Sequence, residues 1–222
     1  MRSEKKEKIA KAQFTSDLWN KDAALATRRY RSYNEYLRHQ SSKLRRIFKR
    51  LKNRESEDLE SFLVGFRDCA ALQGRRNVLC LGARLGTEVK ALRQLGYFAV
   101  GIDLNPGPDN RYVHCGDFQA LDFSDGSVDV VYTNALDHVF DLGVVLAEIR
   151  RVLRPDGVFL TDLYPGHGEG FTPGRFEATH WRHTDDIISK IAEMGRMRLL
   201  DRRRLTHWAG PALTQAAFTL DR

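Results

Sequence analysis

The sequence predicts an α/β fold, an open and mostly parallel sheet with helices on its faces. Asn77–Leu81 is an apolar run that breaks at Gly82 and passes through a short loop to Gly86. A helical pattern follows, with Val89, Leu92 and Leu95 on one side. A second apolar run, residues 98–102, then ends on the acid Asp103. Strand, glycine turn, helix and strand make a parallel unit, because parallel neighbours need a crossover of this length. In such sheets ligands bind beyond the carboxyl ends of the strands, where a carboxylate ending the second strand can take ribose hydroxyls. The chain therefore carries the parts of a nucleoside site.

The remaining elements follow in order. Residues 16–26 are expected to form a short helix. Ser32-Tyr33-Asn34-Glu35 reads as a capping box that opens a longer one. There Tyr33, Leu37, Gln40, Leu44, Ile47, Phe48 and Leu51 recur at helical spacing, with Arg38, Lys43, Arg45, Arg46, Lys49, Arg50 and Lys52 mostly on other faces. A helix over 57–72 carries Leu59, Phe62, Leu63 and Phe66 into the first strand of the sheet. Residues 111–115 and 158–162 give further strands. A helix over 140–153 stops at Pro155-Asp156-Gly157. The Gly- and Pro-rich stretch 164–174 is a loop. Thr184, Asp185 and Asp186 open a helix through Met194, and 196–203 with 213–220 close the fold as a strand pair.

Charge divides the chain. Residues 1–54 hold 17 Lys or Arg against 5 Asp or Glu, whereas 55–222 hold 19 against 24, so a +12 arm precedes a −5 domain. The expected organisation is a basic helical extension over 1–54 and a second, mildly acidic domain over 55–222. The arm can be a solvated face on a helix packed over the cleft, a surface for a polyanion such as nucleic acid, or a self-association arm. The arm is expected to govern what the second domain acts on and to leave the nucleoside site largely alone. No apolar run approaches the ~20 residues that span a bilayer. The start of the chain lacks a continuous apolar segment, and Glu4 and Glu7 argue against a transit peptide, so a cytoplasmic location is expected. Cys69, Cys80 and Cys115 are expected as reduced thiols. None of the seven histidines has a Cys or His partner at ligand spacing, and no metal is expected.

The loop Gly82-Ala83-Arg84-Leu85-Gly86 excludes the dinucleotide fingerprint, whose middle glycine lets backbone approach a pyrophosphate. No Gly-Lys-Ser/Thr follows, which excludes a P-loop. Here the chain resembles the class I S-adenosylmethionine (SAM)-dependent methyltransferases, in particular the methyltransferase domain 11 family. Val78, Leu79, Leu81, Gly82, Gly86 and Asp103 match its first motif and the acid ending the second strand. Cys80 stands where the family usually has an acid, and Arg84 where it usually has glycine. Further stretches agree in order: 115–123, 127–132, 134–139 and 148–160. The resemblance covers about residues 75–164 and implies a Rossmann-like seven-stranded sheet with one reversed edge strand.

It also implies roles. SAM would be held by Gly82, Ala83, Arg84, Gly86, Asp103, Leu104, Asp117, Phe118 and Asn134, with Arg84 pairing the SAM carboxylate and Asp117 and Phe118 at the adenine. Methyl transfer from a sulfonium relies on alignment, and a hydroxyl acceptor gains from a general base. His138 is the first candidate and Asp137 the second, with Tyr132 and Asn134 behind them. His167, His180 and His183 could contribute from the loop over the cleft, with Trp181 shielding it. The loop that accompanies methylation of exocyclic base or amide nitrogens is absent, since the matching residues are Thr133-Asn134-Ala135-Leu136. The expected reaction is methylation of an oxygen of a small molecule or glycan. The alternatives are an enzyme acting on RNA or another polyanion docked by the arm, and an interaction module that binds SAM poorly.

Overall fold

The computed structural model describes residues 2–208 and 210–221. In chain order the elements are α1 (Arg2–Thr15), β1 (Trp19–Lys21), β2 (Leu25–Arg28), α2 (Tyr33–Ser41), α3 (Lys43–Arg67), β3 (Asn77–Leu81), α4 (Thr87–Gln94), β4 (Phe98–Asp103) and β5 (Val113–Cys115). Then come β6 (Val128–Thr133), α5 (Leu142–Val152), β7 (Leu153–Leu163), β8 (Thr179–Trp181), α6 (Thr184–Gly195), β9 (Met197–Leu205) and β10 (Leu213–Leu220). The main sheet has seven strands in the order β5-β4-β3-β6-β7-β10-β9. No helix among the described residues is long and apolar enough to cross a membrane.

The five strands from β5 to β7 run parallel, and β10 runs antiparallel to both β7 and β9. The reversed strand therefore lies one place in from the edge, not at the edge as expected. The side chains explain this. β10 buries Gln215, Ala216, Ala217 and Phe218, whereas β9 carries Arg198, Arg202, Arg203 and Arg204, the charge that suits an edge strand.

Alternation along the parallel strands builds two apolar layers. Val78, Cys80, Val130, Tyr132 and Leu160 meet Phe62 and Phe66 of α3 and Val89 and Leu92 of α4. Leu79, Leu81, Val131 and Phe159 meet Val145, Leu146 and Ile149 of α5 and Ile187 and Ile191 of α6. Burial on both faces is why β3 reads as a continuous apolar run from Val78 to Leu81. Strand β7 starts earlier than expected, because Leu153 already pairs with Val128.

The N-terminal third departs most from expectation. The helix expected over 16–26 is a hairpin, β1 with β2, extended by β8 into a second three-stranded sheet. Asp22 makes the turn, its Oδ1 accepting from the amides of Ala24 (2.8 Å) and Leu25 (2.6 Å). Trp19 and Ala26 are buried with Phe14 of α1. Ser32 caps α2 as expected, but Glu35 reaches back to the amide of Arg31, leaving half a capping box. The helix expected to run on from Ser32 breaks at Ser42, and α3 then continues for 25 residues, joining the stretch before residue 54 to the helix expected to begin at residue 57. The expected boundary near residue 54 thus falls inside one helix.

Candidate functional site

The turn between β3 and α4 is shaped by close approach. The amides of Gly82 and Ala83 both donate to the carbonyl of Ile102 (2.9 and 3.1 Å), which ties the loop to β4. Gly82 has φ +75°, and a Cβ there would stand 2.7 Å from Ala135 Cβ and 2.9 Å from Phe118 Cζ. Arg84, at φ +43°, takes the left-handed conformation that the resemblance gives to glycine. Its amide donates to Asp103 Oδ2 at 3.2 Å, and this contact helps to offset the strain. Gly82→Ala is expected to destabilise the protein by about 1–2 kcal/mol from the backbone alone and to abolish SAM binding. Thermal unfolding and titration with SAM would check this, and a variant with unchanged Tm and Kd would contradict the packing argument.

A cavity of about 520 Å³, its open mouth included, lies at this turn, bounded by Gly82, Arg84, Asp103, Leu104, Asp117 and Phe118. Burial raises the pKa of Asp103, whose carboxylate accepts from the amides of Arg84 and, at 2.8 Å, of Asn105. Asp117 accepts from the Tyr33 hydroxyl on one oxygen and from the Gln119 amide (2.9 Å) on the other. Gly86 borders neither this cavity nor the neighbouring cleft. It turns the chain into α4 against Tyr112 and Val113. Ala83 and Asn134 line the neighbouring cleft instead.

That cleft measures about 1620 Å³ with its open mouth included, and Gly82, Arg84, Lys43 and His138 border both spaces. Phe62, Tyr164, Phe171, Phe176 and Trp208 give it aromatic walls. Ligand atoms of Asp137, His138 and Glu177 lie within 4.8 Å of one another, and the Lys43 ammonium donates to His138 Nε2. The His138 Nδ1–H donates to the Phe176 carbonyl (3.1 Å), which leaves Nε2 as the bare acceptor. Burial, with Lys43 and Arg84 beside it, holds the His138 pKa well below the ordinary histidine value. Asp137 moves the other way, raised by burial and by the negative charge of Glu177. Its Oδ1 is buried without a hydrogen-bond partner, as is Oε2 of Glu177. Lys43 is lowered by burial and by Arg84. His138, the first candidate for the base, is thus a poor proton acceptor near neutral pH, and Asp137 is the better one.

The other candidates disperse. Tyr132 is fully buried and donates to Asp162 at 2.7 Å. Trp181 is core, its indole N–H donating to the Tyr164 carbonyl at 2.9 Å, and Trp208 takes the cleft position expected of it. His167 and His180 pack against Phe14, while His183 faces Asp186. Sequence reasoning missed Glu177 altogether and read Lys43 as a solvated helix face. Lys43 precedes His138 by 95 residues, and no local pattern links positions that far apart.

The arm does not leave the cofactor side alone. Tyr36, Gln40, Lys43 and Leu44 form one wall of the smaller cavity. Tyr36 Oη donates to the His138 carbonyl (3.0 Å), Gln40 to the Phe176 carbonyl (2.7 Å) and Asn105 to the Ser41 carbonyl (2.8 Å). A chain truncated to begin at residue 53 is therefore expected to lose SAM affinity as well as turnover. Circular dichroism would establish whether it folds, and a folded truncated chain with full SAM affinity would contradict this wall.

The residues fit SAM. Gly82 leaves a cradle that a Cβ would fill, two carboxylates face the nucleoside side, and no carboxylate lies within ion-pair reach of the Arg84 guanidinium among the described residues. Comparison with known proteins agrees. Residues 79–161 match the family described as a methyltransferase domain. A probable SAM-dependent methyltransferase of Mycolicibacterium smegmatis is 28% identical over 153 residues, 62% of this chain, and the match spans 58% of that relative's length. The 1,6-didemethyltoxoflavin-N1-methyltransferase of Burkholderia thailandensis, solved with 1,6-didemethyltoxoflavin and S-adenosylhomocysteine, superposes with a TM-score of 0.69. It is 18% identical, and the overlap covers 91% of this chain and 99% of that one. The glycopeptide N-methyltransferase MtfA, solved with SAM, gives a TM-score of 0.54 at 14% identity over 73% of this chain and 93% of its own.

Proposed function

We propose that this chain is a class I SAM-dependent methyltransferase and that its methyl group goes to an oxygen of a small hydroxylated molecule or glycan. The observation that carries this reading is Asp137, a buried carboxyl with a raised pKa and an unpartnered oxygen beside the junction of the two cavities. Gly82, Arg84, Asp103, Asp117 and Phe118 hold SAM, with Asp103 taking the ribose hydroxyls and Arg84 the carboxylate. When bound, SAM supplies an electrophilic methyl carbon on a sulfonium and leaves as S-adenosylhomocysteine.

The chain's own residues manage the proton. Asp137, ionised, accepts the hydroxyl proton as the acceptor oxygen bonds to the methyl carbon. Lys43 holds positive charge against Asp137 and Glu177 and keeps His138 neutral through Nε2. The aromatic walls seat the acceptor and limit water. Free Cys69, Cys80 and Cys115 suit a reducing compartment such as the cytoplasm.

A second reading has its own observation. Arg45, Arg46, Lys49 and Arg50 are exposed on α3 without ion-pair partners among the described residues, a row that fits a polyanion. The experiment is turnover of SAM with hydroxylated small molecules, sugars, matched amines and bulk RNA, each product mapped by mass spectrometry. Methyl on oxygen supports the first reading. Methyl found only on nitrogen would overturn it, and methyl on RNA with steep salt dependence would establish the second.

A further inference from the structure

We propose that Glu88 holds the ammonium of the SAM amino-acid end, in place of the acid that the resemblance leads one to expect at residue 80. The inference rests on the reading that SAM occupies this site.

Residue 80 cannot serve. Cys80 is wholly buried between Gly101 and Tyr132 in the middle of the sheet, and burial pushes its thiol pKa well up. The acid reappears eight residues later. Glu88 is the second residue of α4, one step beyond the glycine turn, and it lies near enough to the Cys80 thiol to raise its pKa further. It is 5% exposed, yet it borders the cleft together with Gly82, Arg84, Thr87 and Asn134.

Glu88 has no partner suited to its burial. Among the described residues no other side chain bonds its carboxyl, which meets only its own backbone amide. A carboxylate in the first turn of a helix is favoured by the helix dipole. Burial outweighs that here and pushes the pKa of Glu88 up to about 8. A buried carboxyl that borders a cavity without a cation is completed when a ligand cation arrives.

Arg84 supplies the other half. Its guanidinium, without an ion-pair partner among the described residues, borders the same cleft two residues beyond Gly82 and lowers the pKa of Glu88. Arg84 and Glu88 together offer one positive and one negative group on either side of Gly86, the complement of an amino-acid zwitterion. The acid lost from β3 and the glycine replaced by arginine are then one linked departure. Moving the carboxylate onto α4 leaves the strand apolar, and the arginine meets the carboxylate of the same ligand.

The test is titration of the full chain and its Glu88→Gln variant with SAM, S-adenosylhomocysteine and methylthioadenosine, which keeps the adenosine but lacks the amino-acid end. The variant is expected to bind the first two about 10–150-fold more weakly, the range for a lost hydrogen bond to a charged group, and methylthioadenosine as the unchanged chain does. Retained methylthioadenosine binding also shows that the variant is folded. Equal weakening for all three ligands, or SAM binding unchanged with a raised KM for the acceptor, would overturn the assignment. Failure of the unchanged chain to bind any of the three would instead refute the cofactor site on which the inference stands.

Discussion

Asp137→Asn is expected to lower kcat by about 10²–10⁴-fold, the usual contribution of a positioned general base, with SAM affinity nearly unchanged. The amide keeps the shape and burial of the side chain but cannot take the acceptor proton. The pH dependence has a definite sign. Burial and Glu177 raise the Asp137 pKa, so the ionised base form is gained as pH rises through that raised value and lost below it. kcat/KM should therefore fall on the acid side at a pH above the ordinary carboxylate range, and the variant should lose that limb. His138→Ala separates the candidates. If it removes the acid limb while Asp137→Asn keeps it, the proton goes to His138 and the assignment to Asp137 is wrong.

Asp103→Ala should weaken SAM binding by about 1–3 kcal/mol, the cost of leaving hydrogen-bonding groups unpaired. Part of this loss is indirect. The Asp103 carboxylate also holds the amides of Arg84 and Asn105, so its removal loosens the strained turn at Arg84. Asp103→Asn, which keeps the side-chain shape, should lose less than the alanine variant. An unchanged Kd in titration calorimetry for Asp103→Ala would show that the ribose is held elsewhere.

The central sheet was legible because its strands are buried on both faces. Val78 to Leu81 reads as an unbroken apolar run that turns at Gly82, and residues 98–102 read as a second that ends on Asp103. The hairpin at Trp19 and Ala26 was not legible as strand. Its strands have three and four residues, too few to show a period, and its identity depends on β8, about 150 residues away in the chain. The reversed strand was visible, but its position needed the comparison of β9 with β10, whose charge and burial decide which one lies outside.

The site divides along the same line. Gly82, Arg84, Asp103, Asp117 and Phe118 sit on or beside the parallel unit, and the structure brings them to one cavity. Asp137 and His138 were placed by the stretch after β6, but which of them is the base was not readable. That depends on the Phe176 carbonyl at Nδ1 of His138, the Lys43 ammonium at its Nε2, and the charge of Glu177 near Asp137. These neighbours come from α3 and from the loop before β8, and only folding brings them together. Lys43 shows why helical patterning fell short. It occupies a polar position on an amphipathic helix, and the pattern cannot say that this face closes over the strand ends.

The most direct measurement is a crystal structure of the full chain with S-adenosylhomocysteine. The expected result is one ligand per chain, with its ribose hydroxyls on Asp103, its adenine beside Asp117 and Phe118, its carboxylate toward Arg84 and its sulfur facing the cleft of Asp137. A ligand bound elsewhere, or one whose sulfur points away from that cleft, would contradict it.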